Sequence, residues 1–388
     1  MTRFPGGLDR ARALLATHWG YGGFRPSQVR VLGPLLSGRD TLAVLPTGAG
    51  KSLCFQIPAL MSGGLTIVVS PLVSLMQDQV GALRRRGIAA VYLNSTQTLE
   101  RRHQVLDAVR AGVVRLLYCA PERLPSLARR LAAWSLRPAL FAVDEAHCIT
   151  EWGHEFRPVY RLLGKYRYLM GDPLTVAVTG SATVSARLEI ARVLRLRDAA
   201  EVVGSFDRPN LRFRTQVIRD DRERFALIAT RIRAATAASI VYAPTRRLTE
   251  LIARALLLRS VNVAPFHAGL TARVRRQTLT AFLEDRVGAV VATTAFGMGI
   301  DKPDVRSVLH WGPAHTLDGY YQEAGRAGRD GNRAECLVLW RDADLRWPGI
   351  APAMKVYLQR RACRRRMLLA YFGERLEHCS GCDYCEIR

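Results

Sequence analysis

The chain has 388 residues, is 49% hydrophobic, and carries 57 Lys and Arg against 33 Asp and Glu, a formal net charge of +24. At about 150 residues per domain this length suggests two or three domains. No apolar run approaches the roughly 18 residues of a membrane-spanning helix. Residues 1–23, with four charged residues and no long apolar stretch, are not expected to act as a secretory signal, and eight cysteines are too few for a disulfide scaffold. A soluble, reducing, cytoplasmic setting is expected, nucleoid-associated if the chain is bacterial. A field of positive sign concentrates polyanions, nucleic acid first. Only Lys51, Lys165, Lys302 and Lys355 are lysines, and a base-composition preference for Arg codons would produce the same skew.

Taken in chain order, an aromatic and Gly-rich segment, Trp19–Gln28, comes first. Thr41–Leu45 then reads as a buried strand, and Pro46–Ser52 as the turn after it. Gly48 and Gly50 let backbone N–H groups face an anion, Lys51 suits the β- and γ-phosphates, and Ser52 suits Mg²⁺. The strict P-loop pattern wants Gly where Leu45 stands. Leu65–Ser70, Ala90–Leu93, Val114–Tyr118, Leu140–Val143 and Thr175–Val178 continue the strand rhythm. Leu140–Val143 ends in Asp144-Glu145-Ala146-His147. A carboxylate at a strand's carboxyl edge suits a Mg²⁺ ligand, and Glu145 suits a general base for water. In the aromatic-rich run Cys148–Pro158, Trp152 and Phe156 offer faces for base stacking and Arg157 a phosphate contact; a buried aromatic cluster is the other reading.

A Pro-containing linker is expected near 205–213, within Gly204–Asn210 and just beyond. The strand rhythm then restarts with Ser239–Tyr242, Val261–Phe266, Ala289–Thr293, Ser307–His310 and Glu335–Leu339. Tyr321–Gly331 places Arg326 and Arg329 in a Gly-rich loop. Beyond about Asp344 strand signals vanish, and a basic helical run, Met354–Phe372, leads into Cys363, Cys379, Cys382 and Cys385. The spacing C-x15-C-x2-C-x2-C suits a closed, structural Zn²⁺ site, with disulfides as the rival. Cys54, Cys119, Cys148 and Cys336 read as inert core. Arg360-Arg361 and Arg364–Arg366 read either as a solvated helix face or as DNA-backbone contacts. The fold class is α/β: two parallel-sheet domains followed by a small helical segment with four cysteines.

These blocks together resemble the superfamily 2 helicases and, within them, the RecQ DNA helicases, from about Trp19 to Cys385. The resemblance implies two tandem RecA-like domains, 1–204 binding ATP and 205–345, followed by a zinc-binding subdomain at 346–388. Trp19–Gln28 is similar to the family's adenine-reading motif, with Tyr21 stacking on the base and Arg25 and Gln28 hydrogen-bonding it. Thr47-Gly48-Ala49-Gly50-Lys51-Ser52 resembles the short helicase form of the P-loop. Val69–Gln79 resembles motif Ia, and Asn94–Gln97 and Ala120–Leu124 resemble further family blocks. The run after Asp144 resembles the family's single-strand-sensing loop, which implies DNA contacts from Trp152, His154, Phe156 and Arg157. Thr150-Glu151 stands there in place of the usual Ser-Gln.

Thr179–Thr183 resembles motif III, Ile240–Arg246 motif IV, and Thr293–Asp304 motif V, with Asp301 assigned to the nucleotide. Tyr321–Gly331 resembles motif VI, which implies that Arg329, with Arg326 beside it, reaches the γ-phosphate. The implied activity is an ATP-dependent 3′ to 5′ DNA helicase of repair and recombination, using ATP, Mg²⁺ and Zn²⁺ on single-stranded and tailed duplex DNA. Only 32 residues separate Asp330 from Cys363, and three follow Cys385. The zinc-binding part is therefore expected to be trimmed, and the winged-helix and terminal helical domains missing. A DNA-stimulated annealing module that unwinds poorly and an RNA-dependent ATPase are the competing readings.

Overall fold

The computed structural model describes residues 4–46, 48–150, 158–294, 296 and 302–386. Thr47, Asp301, Glu151 and the expected DNA-contacting residues Trp152, His154, Phe156 and Arg157 lie outside the described residues. The chain divides into two compact units, Met1–Ser205 and Phe206–Arg388.

The strands of the first unit are β1 (Thr41–Val44), β2 (Thr66–Val69), β3 (Ala90–Leu93), β4 (Leu116–Cys119), β5 (Leu140–Val143), β6 (Leu174–Thr179) and β7 (Ala200–Val203). They form one parallel sheet in the order β3-β4-β2-β5-β6-β1-β7. Helices cover both faces of such a sheet, so inner strands are apolar along their whole length rather than alternating. β1, β2, β4, β5 and β6 are buried at every position. Parallel pairing also brings the carboxyl ends to one edge. Val44 of β1 lies beside Thr179 of β6, and Val143 of β5 beside Ala177. The turns after β1, β5 and β6 therefore emerge together, where open α/β sheets bind ligands. At the opposite edge a buried ion pair ties the sheet. Arg167 Nη2 donates to Asp40 Oδ2 at 2.7 Å, and Thr175 N–H donates to Asp40 Oδ1 at 2.9 Å.

The second unit holds β8 (Leu211–Val217), β9 (Ser239–Tyr242), β10 (Val263–Phe266), β11 (Ala289–Ala292), β12 (Ser307–His310) and β13 (Ala334–Trp340). Their order is β10-β11-β9-β12-β13-β8, again all parallel. Thr residues set several helix starts. Thr245, Thr271 and Thr316 each accept a backbone N–H three residues on, in the manner of N-caps. Among the described residues, no helix is long and apolar enough to cross a membrane.

Two strands, β7 and β8, escaped the sequence reading. Both are edge strands, with a neighbouring strand on one side only. β7 is half exposed and holds Glu201; β8 carries Arg212 and Arg214 among its apolar residues. Neither shows the continuous apolar run of a buried parallel strand. The expected linker near 205–213 is corrected accordingly, since Leu211 already belongs to β8, in register with Ala334 of β13.

The expected helical run Met354–Phe372 is two helices, Pro352–Gln359 and Arg364–Tyr371, broken before Cys363. Met354, Tyr357, Leu358 and Leu368 from these helices join the core beneath the second sheet, with Phe213, Tyr320 and Trp340. Further on, Cys382 forms a parallel bridge with Phe213, and Asp383 N–H donates to Phe213 O at 3.2 Å. The cysteine segment thus covers the free edge of β8, one of the ways a sheet protects an unpaired edge.

Candidate functional site

At the carboxyl edge of the first sheet, β1 runs into the turn Leu45–Ser52. Gly48 and Gly50 take φ of +84° and +74°, the left-handed region open to glycine. A Cβ on Gly50 would stand 2.4 Å from Gln28 Nε2. The buried Gln28 amide donates to Ala49 O at 3.2 Å and Gly50 O at 3.1 Å, and its Oε1 accepts the Arg25 N–H at 2.9 Å. Arg25 Nη1 donates to Gly48 O. Two residues assigned from sequence to the adenine thus also hold the turn that would cradle phosphates. Tyr21 is 55% exposed and leaves a ring face open. Lys51 Nζ donates to Leu45 O at 3.3 Å.

β5 delivers Asp144 and Glu145. Asp144 is buried, and its Oδ1 accepts the Glu145 N–H at 3.0 Å. Burial pushes its carboxyl up to about 7; Glu145 adds to the rise, and the Lys51 ammonium opposes it. The turns that carry Lys51 and Asp144 leave the same edge of the sheet, two strands apart in the order β5-β6-β1. Glu145 occupies the left-handed region, φ +49°, which an L-residue adopts at a cost of about 1–2 kcal/mol. Such strain at a carboxylate beside a P-loop is of the kind stored at active sites.

β6 closes the site through a residue pair the sequence did not announce. Thr179 Oγ1 donates to Ser181 O at 3.0 Å and meets His147 Nδ1 at 2.8 Å. With the hydroxyl hydrogen committed to Ser181, Nδ1 carries the proton and donates. Glu145 Oε2 lies 3.3 Å from the same nitrogen. His147 therefore ties the Asp144–Glu145 turn to the carboxyl end of β6. The signal was present, a His following an acidic pair, but its partner was set only by the β5-β6-β1 order. Behind the site, Gln56 Nε2 donates to Tyr118 Oη at 3.0 Å, and Tyr118 donates to Gln79 Oε1 at 2.7 Å. This buried chain links the helix after Ser52 to the helix Val73–Arg85.

In the second unit, Arg326 and Arg329 follow the helix Leu317–Ala324. Arg326 is buried, and its Nε has no hydrogen-bond partner among the described residues. Burial pushes the Tyr242 phenol up, and the Arg326 charge opposes the rise; the phenol donates to Phe296 O at 2.7 Å. A Cβ on Gly328, φ +53°, would stand 2.5 Å from Asn210 Nδ2 and 2.6 Å from Asn332 O.

The sulfur atoms of Cys363, Cys379, Cys382 and Cys385 all lie within 4.8 Å of one another. A tetrahedral Zn²⁺ with Zn–S near 2.3 Å spaces its sulfurs about 3.8 Å apart, and Cys363 and Cys382 stand 3.9 Å apart. The donor set fits zinc. Cys363 caps the helix Arg364–Tyr371, its Sγ accepting the Arg366 N–H at 3.5 Å. Burial raises the Cys382 thiol, but the backbone N–H groups of Cys385 and Arg364 outweigh it and bring it below the ordinary range. Cys54, Cys119, Cys148 and Cys336 are buried, and burial pushes the Cys54 thiol up to about 12, as inert core thiols should be.

Both readings of the Arg364–Arg366 run are corrected for two of its members. Arg364 and Arg365 are buried, paired with Asp383 and Asp207 respectively. They are neither a solvated face nor available to phosphates.

Two parallel α/β sheets, the first with a Gly-rich turn and an acidic pair at its carboxyl edge, give the chain the fold of helicase-type proteins. The chain matches the DEAD/DEAH box helicase family over residues 25–190, the helicase conserved C-terminal domain over 223–331, and the RecQ zinc-binding family over 351–386. It is 39% identical to the ATP-dependent DNA helicase RecQ of Haemophilus influenzae, over 97% of this chain and 63% of that protein. To the RecQ of Bacillus subtilis it is 38% identical, over 97% of this chain and 67% of that one. Among solved structures, the Mycobacterium smegmatis helicase Lhr bound to single-stranded DNA and AMP-PNP superposes with a TM-score of 0.67 at 22% identity, covering 88% of this chain and 48% of Lhr. The chain belongs to the RecQ helicase family, and it spans about two thirds of the length of these curated relatives.

Proposed function

We propose that the chain is an ATP-dependent DNA helicase that couples ATP hydrolysis to 3′ to 5′ movement on single-stranded DNA. The observation that carries this is the meeting of Lys51, Asp144 and Glu145 at one sheet edge, in a chain of the RecQ family. Lys51 and the turn Thr47–Gly50 hold the phosphates, and Ser52 and Asp144 hold Mg²⁺, which when bound screens the phosphate charge. Glu145 takes the proton of the attacking water, with His147 orienting its carboxylate. Tyr21 stacks on the adenine. Arg25 and Gln28 contact the base and steady the turn, Gln28 exchanging one of its P-loop bonds to do so. Arg329, with Arg326, stabilises charge on the transferring phosphoryl group, and Asp301 serves the nucleotide. Trp152, His154, Phe156 and Arg157 sense the DNA single strand. The four cysteines hold one structural Zn²⁺. The working division is 1–204, 205–345 and 346–388, and the setting is the cytoplasm, on tailed duplexes in repair and recombination.

A strand-displacement assay on a 3′-tailed duplex, run beside ATPase assays with single-stranded DNA and with RNA, tests the reading. Displacement with ATP and DNA-selective stimulation are expected. ATPase without displacement reduces the protein to a DNA-stimulated ATPase, and preferential stimulation by RNA removes the DNA assignment. Within that assay Glu145→Gln should cut turnover by about 10²–10⁴ with ATP binding near the parent value. Turnover at the parent rate would remove the general base.

A further inference from the structure

The residues that open the second unit, Phe206-Asp207-Arg208-Pro209-Asn210, touch two groups of partners within that unit. One group is the loop that carries Arg326 and Arg329. Arg208 Nη1 donates to Gly325 O at 3.2 Å, and its Nη2 donates to Ala327 O at 3.0 Å and Gly328 O at 2.9 Å. Asn210 Nδ2 donates to Gly328 O at 2.8 Å and Asn332 O at 2.9 Å. These carbonyls lie in the loop after the helix Leu317–Ala324, where no regular ladder supplies them with donors. A planar guanidinium with five donors can serve three of them at once; an ammonium cannot.

The other group is the cysteine segment. The Phe206 ring stacks on Phe372 at 4.5 Å, and Phe206 N–H donates to Glu374 Oε2 at 2.6 Å. Asp207 pairs with the buried Arg365. The Pro209 carbonyl accepts from Arg365 Nη1 at 3.3 Å and from Ser380 Oγ at 3.1 Å. Ser380 directly follows Cys379, so its place is set by the same knot that gathers the four sulfurs.

We propose that Phe206–Asn210 is a strap through which the four-cysteine segment fixes the Arg326–Arg329 loop, and that Arg208 is a positioning residue for phosphoryl transfer. The inference rests on the reading that Arg329 meets the γ-phosphate. It assigns to the cysteine segment a role in the chemical step, exerted through backbone carbonyls.

The test is steady-state ATPase of the full chain at saturating single-stranded DNA. Arg208→Gln should lower kcat at least about tenfold, since misplacement by about 1 Å costs on that scale or more. KM for ATP should stay within about twofold, the pattern of an interaction made in the transition state. Arg208→Lys should recover part of the loss. Adding Arg208→Gln to Arg329→Ala should lower kcat no further than Arg329→Ala alone. A parent kcat in Arg208→Gln, or full additivity in the double variant, overturns the strap. Parent turnover in Arg329→Ala overturns instead the underlying reading of the arginine. If Arg208→Gln does not fold by circular dichroism, Asn210→Ala, which removes only the two amide bonds, should show a several-fold loss of kcat at unchanged KM, and a parent kcat there counts against the strap. Chelating the zinc should speed amide hydrogen exchange at Arg326–Gly328 while leaving β1, β5 and β6 protected. Unchanged exchange in that loop overturns the link to the cysteine segment.

Discussion

Asp144 is buried, and burial above all lifts its carboxyl from an ordinary value of 3.8 to about 7. A carboxyl raised in the folded state contributes stability that is present below its unfolded pKa and lost as pH rises through the folded one. The metal-free protein should therefore lose stability between about pH 4 and about pH 7, by denaturant titration. Mg²⁺ needs the ionised form, so its affinity for Asp144 should weaken about tenfold for each unit below about pH 7. Calorimetric Mg²⁺ titrations at pH 6 and pH 8 that agree would show that Asp144 ionises freely. Gly328 gives a second test. Its φ of +53° and the 2.5 Å approach of Asn210 Nδ2 to any Cβ leave no space. Gly328→Ala should cost about 2–3 kcal/mol, whereas Gly331→Ala, at φ +86° with nothing within 4 Å, should cost only about 1 kcal/mol. Equal melting shifts would refute the steric argument.

β8 is paired by β13 on one side and by the Cys382–Asp383 bridge on the other. Asp383 does most of that joining: its Oδ2 accepts from Thr215 N at 2.8 Å and Thr215 Oγ1 at 3.1 Å, and Arg364 Nε donates to its Oδ1 at 3.1 Å. Arg364 is buried, so Asp383→Ala strands a buried cation and should cost about 3 kcal/mol. The measurement is equilibrium unfolding with zinc content assayed in parallel. A loss below about 0.5 kcal/mol would mean that the cysteine segment holds the edge by its apolar residues alone. The apolar inner strands were legible because each follows from local chemistry: a strand covered on both faces is apolar along its length. β7 and β8 were not, since an edge strand needs no continuous apolar run, and its pairing partner is far away in the chain.

The whole chain carries +24, almost all of it arginine. Single-strand binding should therefore weaken steeply with salt, each neutralised phosphate adding about 0.7 to the slope of log affinity against log salt. Fluorescence anisotropy across a salt series reads the slope directly, and a slope near zero would leave stacking, not charge, as the source of affinity. Not all of the arginine is available for this: Arg167, Arg224, Arg364 and Arg365 are buried, with Asp40, Asp344, Asp383 and Asp207 as their partners.

Local spacing made the Gly-rich turn with Lys51, the acidic pair and the close set Cys379, Cys382 and Cys385 legible, because each of these chemistries needs its residues within a few positions of one another; Cys363, farther back in the chain, completed a spacing that suits zinc. Spacing likewise separated two α/β sheets, since buried parallel strands are apolar at every position. Tertiary structure decided the rest. It turned a basic stretch read as helix surface into two buried ion pairs, since charge on a helix says nothing of which face is covered. It joined His147 to Thr179 across the β5-β6-β1 order. And it made a supposed linker into a strap between the Arg326–Arg329 loop and the cysteines, because three carbonyl acceptors more than a hundred residues from Arg208 come within reach only when the second sheet closes.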